Sequence, residues 1–284
     1  MTASAYIEPE RPTLHLSGPK LRASLENLIH AAEMAGGVEQ YAAAIRLKSE
    51  AFQEQLANGK VATVGLGEFT YLTTLMATVR RRIGRVLDSG GWHQLRDAMT
   101  ELLRDAHVPG TADARITRFC KSFPEDREHR FMRDLAAELL HNVYPEQYPL
   151  MQRWVWDAKQ NTGVLREIWH DEAAGDNVDH VVINVPDTHE AFIVLREELA
   201  GFIADNGVFR DVLWYIDLLQ AQIYGDYINA QGGAYLKTDF SAGPDLLEQS
   251  RRILGLDRIN RITSDATKTI DGDGHDVQAL KRLS

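Results

Sequence analysis

The stretch GVFRDVLWYIDLLQAQIYGDYIN, residues 207–229, constrains this chain more than any other. At helical spacing Phe209, Val212, Leu213, Ile216, Leu219, Ile223 and Tyr227 form one face, while Trp214, Leu218, Ala221 and Gly225 cover much of the opposite one. A helix apolar nearly all round must be enclosed by other elements, so residues 208–229 predict a buried central helix, ended by Gly232-Gly233. Gln220 falls inside the main face. Its amide must find partners or destabilise the fold by about 1–3 kcal/mol, and a satisfied core amide is the expectation.

The elements available to enclose that helix also read as helices. Ser17-Gly18-Pro19 opens one that stops at Gly36-Gly37, and Val38, Tyr41, Ile45, Phe52 and Leu56 set the face of a second, ended by Asn58-Gly59. Helices are further predicted from Glu68 to Leu87, over 92–106, 112–122 and 126–142, and from Leu150 to Asn161 before Gly163. VLREIW supplies a short turn of helix. Asp187 and Glu190 have the spacing of a capping box opening a helix to Ala204, and a last helix runs from Pro244 to Gly255. KVATVGLG reads as a brief strand or a loop, and HVVINV at 180–185 is the best strand candidate. The fold class is therefore mainly α: a compact multi-helix globular protein of about nine or ten helices with at most one or two short strands. Pro9 and Pro12 make 1–18 an extended arm, 19–256 form the helical body with two lobes divided near 171–180, and 257–284 read as a polar tail.

Formal net charge is −10, and residues 143–284 carry 23 acidic against 13 basic side chains. That field disfavours nucleic acid and membrane phosphates and favours basic partners. The start lacks the basic-then-apolar pattern of a secretory signal, and no stretch approaches a membrane span. Cys120 is the single cysteine, which excludes an intramolecular disulfide and fits a reducing, cytoplasmic setting. Between 80 and 133 there are 12 basic and 8 acidic residues, so Arg80, Arg81, Arg82 and Arg85 are the polyanion-binding candidates. Cations near a helix end also complement its macrodipole, the plainer account of RRRIGRVL. Gly65-x-Gly67 lacks the third glycine of a nucleotide fingerprint and no Walker lysine follows it.

Two Glu-x-x-His pairs, Glu138/His141 and Glu167/His170, have the local spacing of carboxylate-bundle metal sites. With 19 glutamates and 10 histidines in 284 residues, about 0.7 such pairs arise by chance. Helical phase turns His141 about 170° from the apolar face of its helix and Glu138 about 110°, with Glu167 and His170 similarly displaced. Both pairs are thus expected to face solvent or another surface. The acidic loop 170–180 could add ligands, whereas TIDGDGHD departs from a calcium loop in the placing of its glycine and in Arg282 at the twelfth position. No cofactor is predicted.

The proline elbow YPEQYPLMQRWVWD is the last feature of note. On a helix Trp154 and Trp156 lie about 200° apart, so with Trp154 packed inward Trp156 is expected to point out beside Arg153. Tyr148, Arg153 and Trp156 are therefore the partner-binding candidates, the composition of a contact hot spot; Tyr224, Tyr227 and Tyr235 mark a weaker second surface. Function reads as a cytoplasmic accessory or protein-interaction protein with no defensible catalytic mechanism, its partner another protein and self-association left open. The alternatives are a metal-dependent enzyme built on the Glu-x-x-His pairs and loop 170–180, and a nucleic-acid-associated protein using the Arg-rich 80–133 region.

Overall fold

A computed structural model describes residues 11–33, 37–108, 110–175, 177, 180–232 and 246–258. Among them are eleven α-helices, and no strand forms. Tyr235, the 271–276 acidic run and most of the polar tail lie outside these residues.

The enclosing layer begins with α1 (Gly18–Glu33) and α2 (Val38–Leu56), followed by a 3-10 turn at Lys60–Ala62 in place of the expected brief strand. The single helix predicted over 68–87 is two short ones, α3 (Leu66–Thr74) and α4 (Ile83–Asp88), joined by turns through Leu75–Arg82. Leu75, Met76 and Val79 still reach the core through these turns, while Arg81 and Arg82 are exposed. α5 (Trp92–Leu103), α6 (Ala112–Lys121) and α7 (Met132–Val143) come next, with α7 packed against α2, α5 and α6.

No helix forms over 150–161. The chain there turns, closed by a bridge between Asp157 and Thr162, and the carbonyls of Trp154 and Val155 accept from the amides of Val164 and Leu165 at 3.0 and 3.1 Å. Gly163 makes this doubling back feasible: its φ is +118°, and a Cβ would stand 2.7 Å from the Val155 carbonyl oxygen. α8 (Val164–Glu167) is one turn long, and the arm residues before α1 lie against its end, with Ser17 N–H donating to Ile168 O and His170 N–H to His15 O, both at 2.8 Å.

α9 (His189–Asp205) starts on Thr188 instead of the expected Asp187, whose carboxylate is engaged by Arg133 at 2.9 Å. α10 (Val212–Gly232) is the predicted central helix. Residues 216–223 are buried without a break, and α1, α2, α8, α9 and α11 (Leu246–Ile253) surround it. The C-terminal segment is pinned where Gly255, at φ +76°, crosses the end of α3 so closely that a Cβ would stand 1.9 Å from Leu75 O. Buried apolar residues from Leu14 to Leu256 form one cluster. Among the described residues, no helix is long and apolar enough to cross a membrane.

Candidate functional site

α7 is the element whose polar side matters most. All of its residues from Asp134 to Val143 are buried, including Glu138, 2% exposed, and His141, 5% exposed, so of the two expected surroundings, solvent or another surface, these side chains meet the second. The polar side of α7 meets complementary groups from other helices, so it is an interior side too.

Lys48 of α2 reaches across with its Nζ 3.0 Å from Glu138 Oε2 and 3.0 Å from the carbonyl of Leu254. Glu138 Oε2 also accepts from Asn142 Nδ2 at 2.8 Å, and Ser49 Oγ donates to Asn142 O at 2.8 Å. One ammonium thus ties α2, α7 and the end of α11 together. Removing charges from water costs several kcal/mol each, so such a pair persists only with this many hydrogen bonds around it.

One turn further along α7, His141 lies between two acceptors. Nδ1 is 2.8 Å from Tyr148 O, and Nε2 is 2.8 Å from Asp217 Oδ2 of α10. A ring with acceptors on both nitrogens is in the environment of its doubly protonated form. Burial pulls the His141 pKa down, but the Asp217 carboxylate, its hydrogen bond and the Tyr148 carbonyl outweigh it, and the net shift is upward. Trp214 meets the imidazole edge-on with centroids 6.4 Å apart.

A void of about 10 Å³ adjoins this pair, lined by His141, Asp217, Arg196, Gln220 and both elbow prolines, Pro145 and Pro149. Arg196 donates to Pro145 O at 3.0 Å. Gln220 is buried as expected, but its Oε1 has no hydrogen-bond partner among the described residues. Lys48, Glu138, His141, Asp217 and Arg196 thus form a seam of charged groups, of which His141 and Arg196 hold the elbow, at the carbonyls of Tyr148 and Pro145.

The second Glu-x-x-His pair stands elsewhere. α8 ends at Glu167, so His170 lies beyond the helix and the two do not share a helical face. His170 is exposed, and Glu167 lines an open groove of about 600 Å³ between α1, α8 and α10. In that groove burial pushes the Asp226 carboxyl above its usual range, against hydrogen bonds from Asn27 and Gln222. No group of three His, Cys, Asp or Glu able to hold a metal ion comes together among the described residues.

The partner-binding candidates move inward as well. Trp156 is 1% exposed and donates from Nε1 to Val185 O at 2.9 Å; Tyr148 is buried and donates its hydroxyl to Ala106 O. Arg153 is half-buried with its Nε 3.2 Å from Asp134 Oδ1. Since 150–161 is not a helix, the 200° separation has no force and both tryptophans face the core. Of the arginines, Arg80 makes a two-pronged contact with Asp257 at 2.7 and 2.9 Å, and Arg85 meets Glu128 at 2.8 Å. Arg81 and Arg82 are exposed. Burial drives the Cys120 thiol upward, outweighing Arg133 and Arg153, so it is not an activated nucleophile.

What the elbow presents outward is different from what its sequence suggests. A notch of about 380 Å³ is lined by Arg46, Glu50, Tyr144, Pro145, Glu146 and Trp214 among others. Arg46 also contacts Asp211 at 3.5 Å, which brings the 209–211 turn to its rim. Two residues before Asp211 stands Phe209, 77% exposed. The sequence pattern places Phe209 on the central helix face; the helix starts only at Val212, and Gly207 before it is the signal that the turn extends further. No family model, curated protein or solved structure matches this chain.

Proposed function

We propose that the chain is a cytoplasmic accessory protein that works by binding another protein, with the outer side of the proline elbow as its contact surface. The observation that carries this reading is Phe209, a large aromatic side chain 77% exposed in the turn that Arg46 and Asp211 join to the elbow notch. Exposed aromatic anchors beside a notch with an aromatic floor, here Tyr144 and Trp214, and a charged rim, here Arg46, Glu50 and Glu146, have the composition of contact hot spots. The seam beneath supports it too, because Arg196 and the His141–Asp217 pair fix the carbonyls of Pro145 and Tyr148, and a surface fixed in advance loses less entropy on binding.

The test is Phe209→Asp. Its side chain is mostly in water, so thermal stability is expected to change by no more than about 0.5 kcal/mol. Capture of native-host partners by the full chain, quantified against the unsubstituted protein, is expected to fall by about tenfold or more. Equal capture by both proteins would remove the elbow as the contact surface.

A further inference from the structure

The sequence holds two Asn-Gly pairs, Asn58-Gly59 and Asn206-Gly207, and each follows the end of a helix, α2 for the first and α9 for the second. Such a pair is chemically fragile, because the glycine nitrogen, with no side chain beside it, can reach the asparagine side-chain carbonyl and displace its amide. Both asparagines are exposed, both glycines have positive φ, +81° and +88°, and a Cβ built on either glycine would meet nothing within 4 Å. Solvent access and room to move are therefore equal. Hydrogen bonding differs. Asn206 Nδ2 donates to Phe202 O at 2.8 Å and Gly207 N–H donates to Ala204 O at 2.9 Å, so the leaving amide and the attacking nitrogen are both held by α9. Neither the Asn58 side chain nor Gly59 N–H has a hydrogen-bond partner among the described residues. Asn58 stands at φ +54°, in the left-handed region that asparagine tolerates, and the turn closes one residue later, where Lys60 N–H donates to Ala57 O at 3.1 Å.

We infer that Asn58 is a site of spontaneous, non-enzymatic modification, converting through a succinimide to aspartate and isoaspartate, and that its own hydrogen bonds protect Asn206. In the first step Gly59 N gives its proton to solvent base and its lone pair to Asn58 Cγ. The new C–N bond forms, the Cγ–Nδ2 bond breaks, and the amide leaves as ammonia. Water then opens the succinimide ring. Attack at Cγ gives aspartate, and attack at the main-chain carbonyl carbon of Asn58 gives isoaspartate, whose chain runs on through Cγ. Water is the co-reactant, and nothing is oxidised or reduced. Either product puts a carboxylate just past the C-terminus of α2, the negative end of its dipole. Isoaspartate also adds a main-chain carbon inside the turn that Lys60 N–H closes on Ala57 O, beside Val61, 2% exposed in the core. The modification therefore loosens the joint between α2 and the 3-10 turn after it.

The experiment incubates the full folded chain in mildly alkaline buffer made with heavy-oxygen water and digests it with trypsin in ordinary water. Mass spectrometry then reads the label in peptides 49–60 and 197–210, with the isoaspartyl form separated by chromatography. Label is expected to enter 49–60 at least about tenfold faster than 197–210, with isoaspartate as the larger product. Asn58→Gln is expected to remove it from 49–60. In denaturing urea, where the bonds to Phe202 O and Ala204 O are gone, the two pairs are expected to react at similar rates. The inference is overturned if the folded chain labels 197–210 as fast as 49–60, if the label at 49–60 survives Asn58→Gln, if aspartate forms there without isoaspartate, or if the difference between the two peptides persists in urea.

Discussion

The two Glu-x-x-His pairs share a spacing and nothing else. Glu138 and His141 are enclosed and each is claimed by an opposite charge, Lys48 for one and Asp217 for the other. Glu167 ends a single helical turn and His170 stands outside it, exposed. Three residues of separation place two side chains on one face only if the helix continues through both, and a shared face matters only for what is packed against it. The polar side of an amphipathic pattern is therefore the outside only when no other helix brings a complementary charge.

On that account, the largest effects belong to the first pair. Lys48→Met leaves the Glu138 carboxylate buried beside Asn142 without its cation, and about 3–5 kcal/mol of stability should be lost in denaturant unfolding. Adding Glu138→Leu should restore much of it, because two apolar side chains remove the need for compensation. A double variant no more stable than Lys48→Met would show that the seam is held by shape and not by charge.

A smaller, pH-dependent effect belongs to His141. Its folded-state pKa is raised, so the folded chain binds more protons than the unfolded one between the two values. The stability this contributes is fully present below the unfolded value, about 6.5, and is lost as pH rises through the folded one. The unfolding midpoint should therefore decline on the alkaline side of about pH 6.5, and His141→Gln should flatten that slope while lowering stability at acid pH. An unaltered slope would mean that His141 does not carry the proton linkage.

Much of the fold is legible in the sequence because burial follows periodicity wherever a helix is bounded by glycine or proline. α1, α2, α5, α6, α10 and α11 lie close to where apolar spacing and stop signals put them. The failures have a common origin in partners distant in sequence. Glu138 reads as surface until Lys48 faces it, ninety residues earlier, and Trp156 reads as exposed until Val185 O accepts its N–H. The stretch 150–161 has helical composition, but Gly163 allows the chain to double back and satisfy its carbonyls from Val164 and Leu165, an alternative that local propensity cannot weigh. The segment 180–185, the best strand candidate, is legible as extended and illegible as unpaired, since its backbone bonds at Val181, Ile183 and Val185 go to side chains of Asn161 and Trp156.

The smallest effects should come from the second pair, and their smallness is informative. Glu167→Gln removes a charge at nearly constant shape, and His170→Gln replaces the ring by an amide, at positions that are partly or fully open to water. Exposed ion pairs are worth about 0–1 kcal/mol because solvent screens them, so each substitution should move stability by less than that, and the two together should be additive. A loss comparable to Lys48→Met would mean that Glu167, on the wall of the groove between α1 and α10, organises that groove as Glu138 organises the contact of α7 with α2. The spacing would then have marked two structural sites instead of one, and the contrast between an enclosed and an open carboxylate would have to give way to one between two kinds of buried partner.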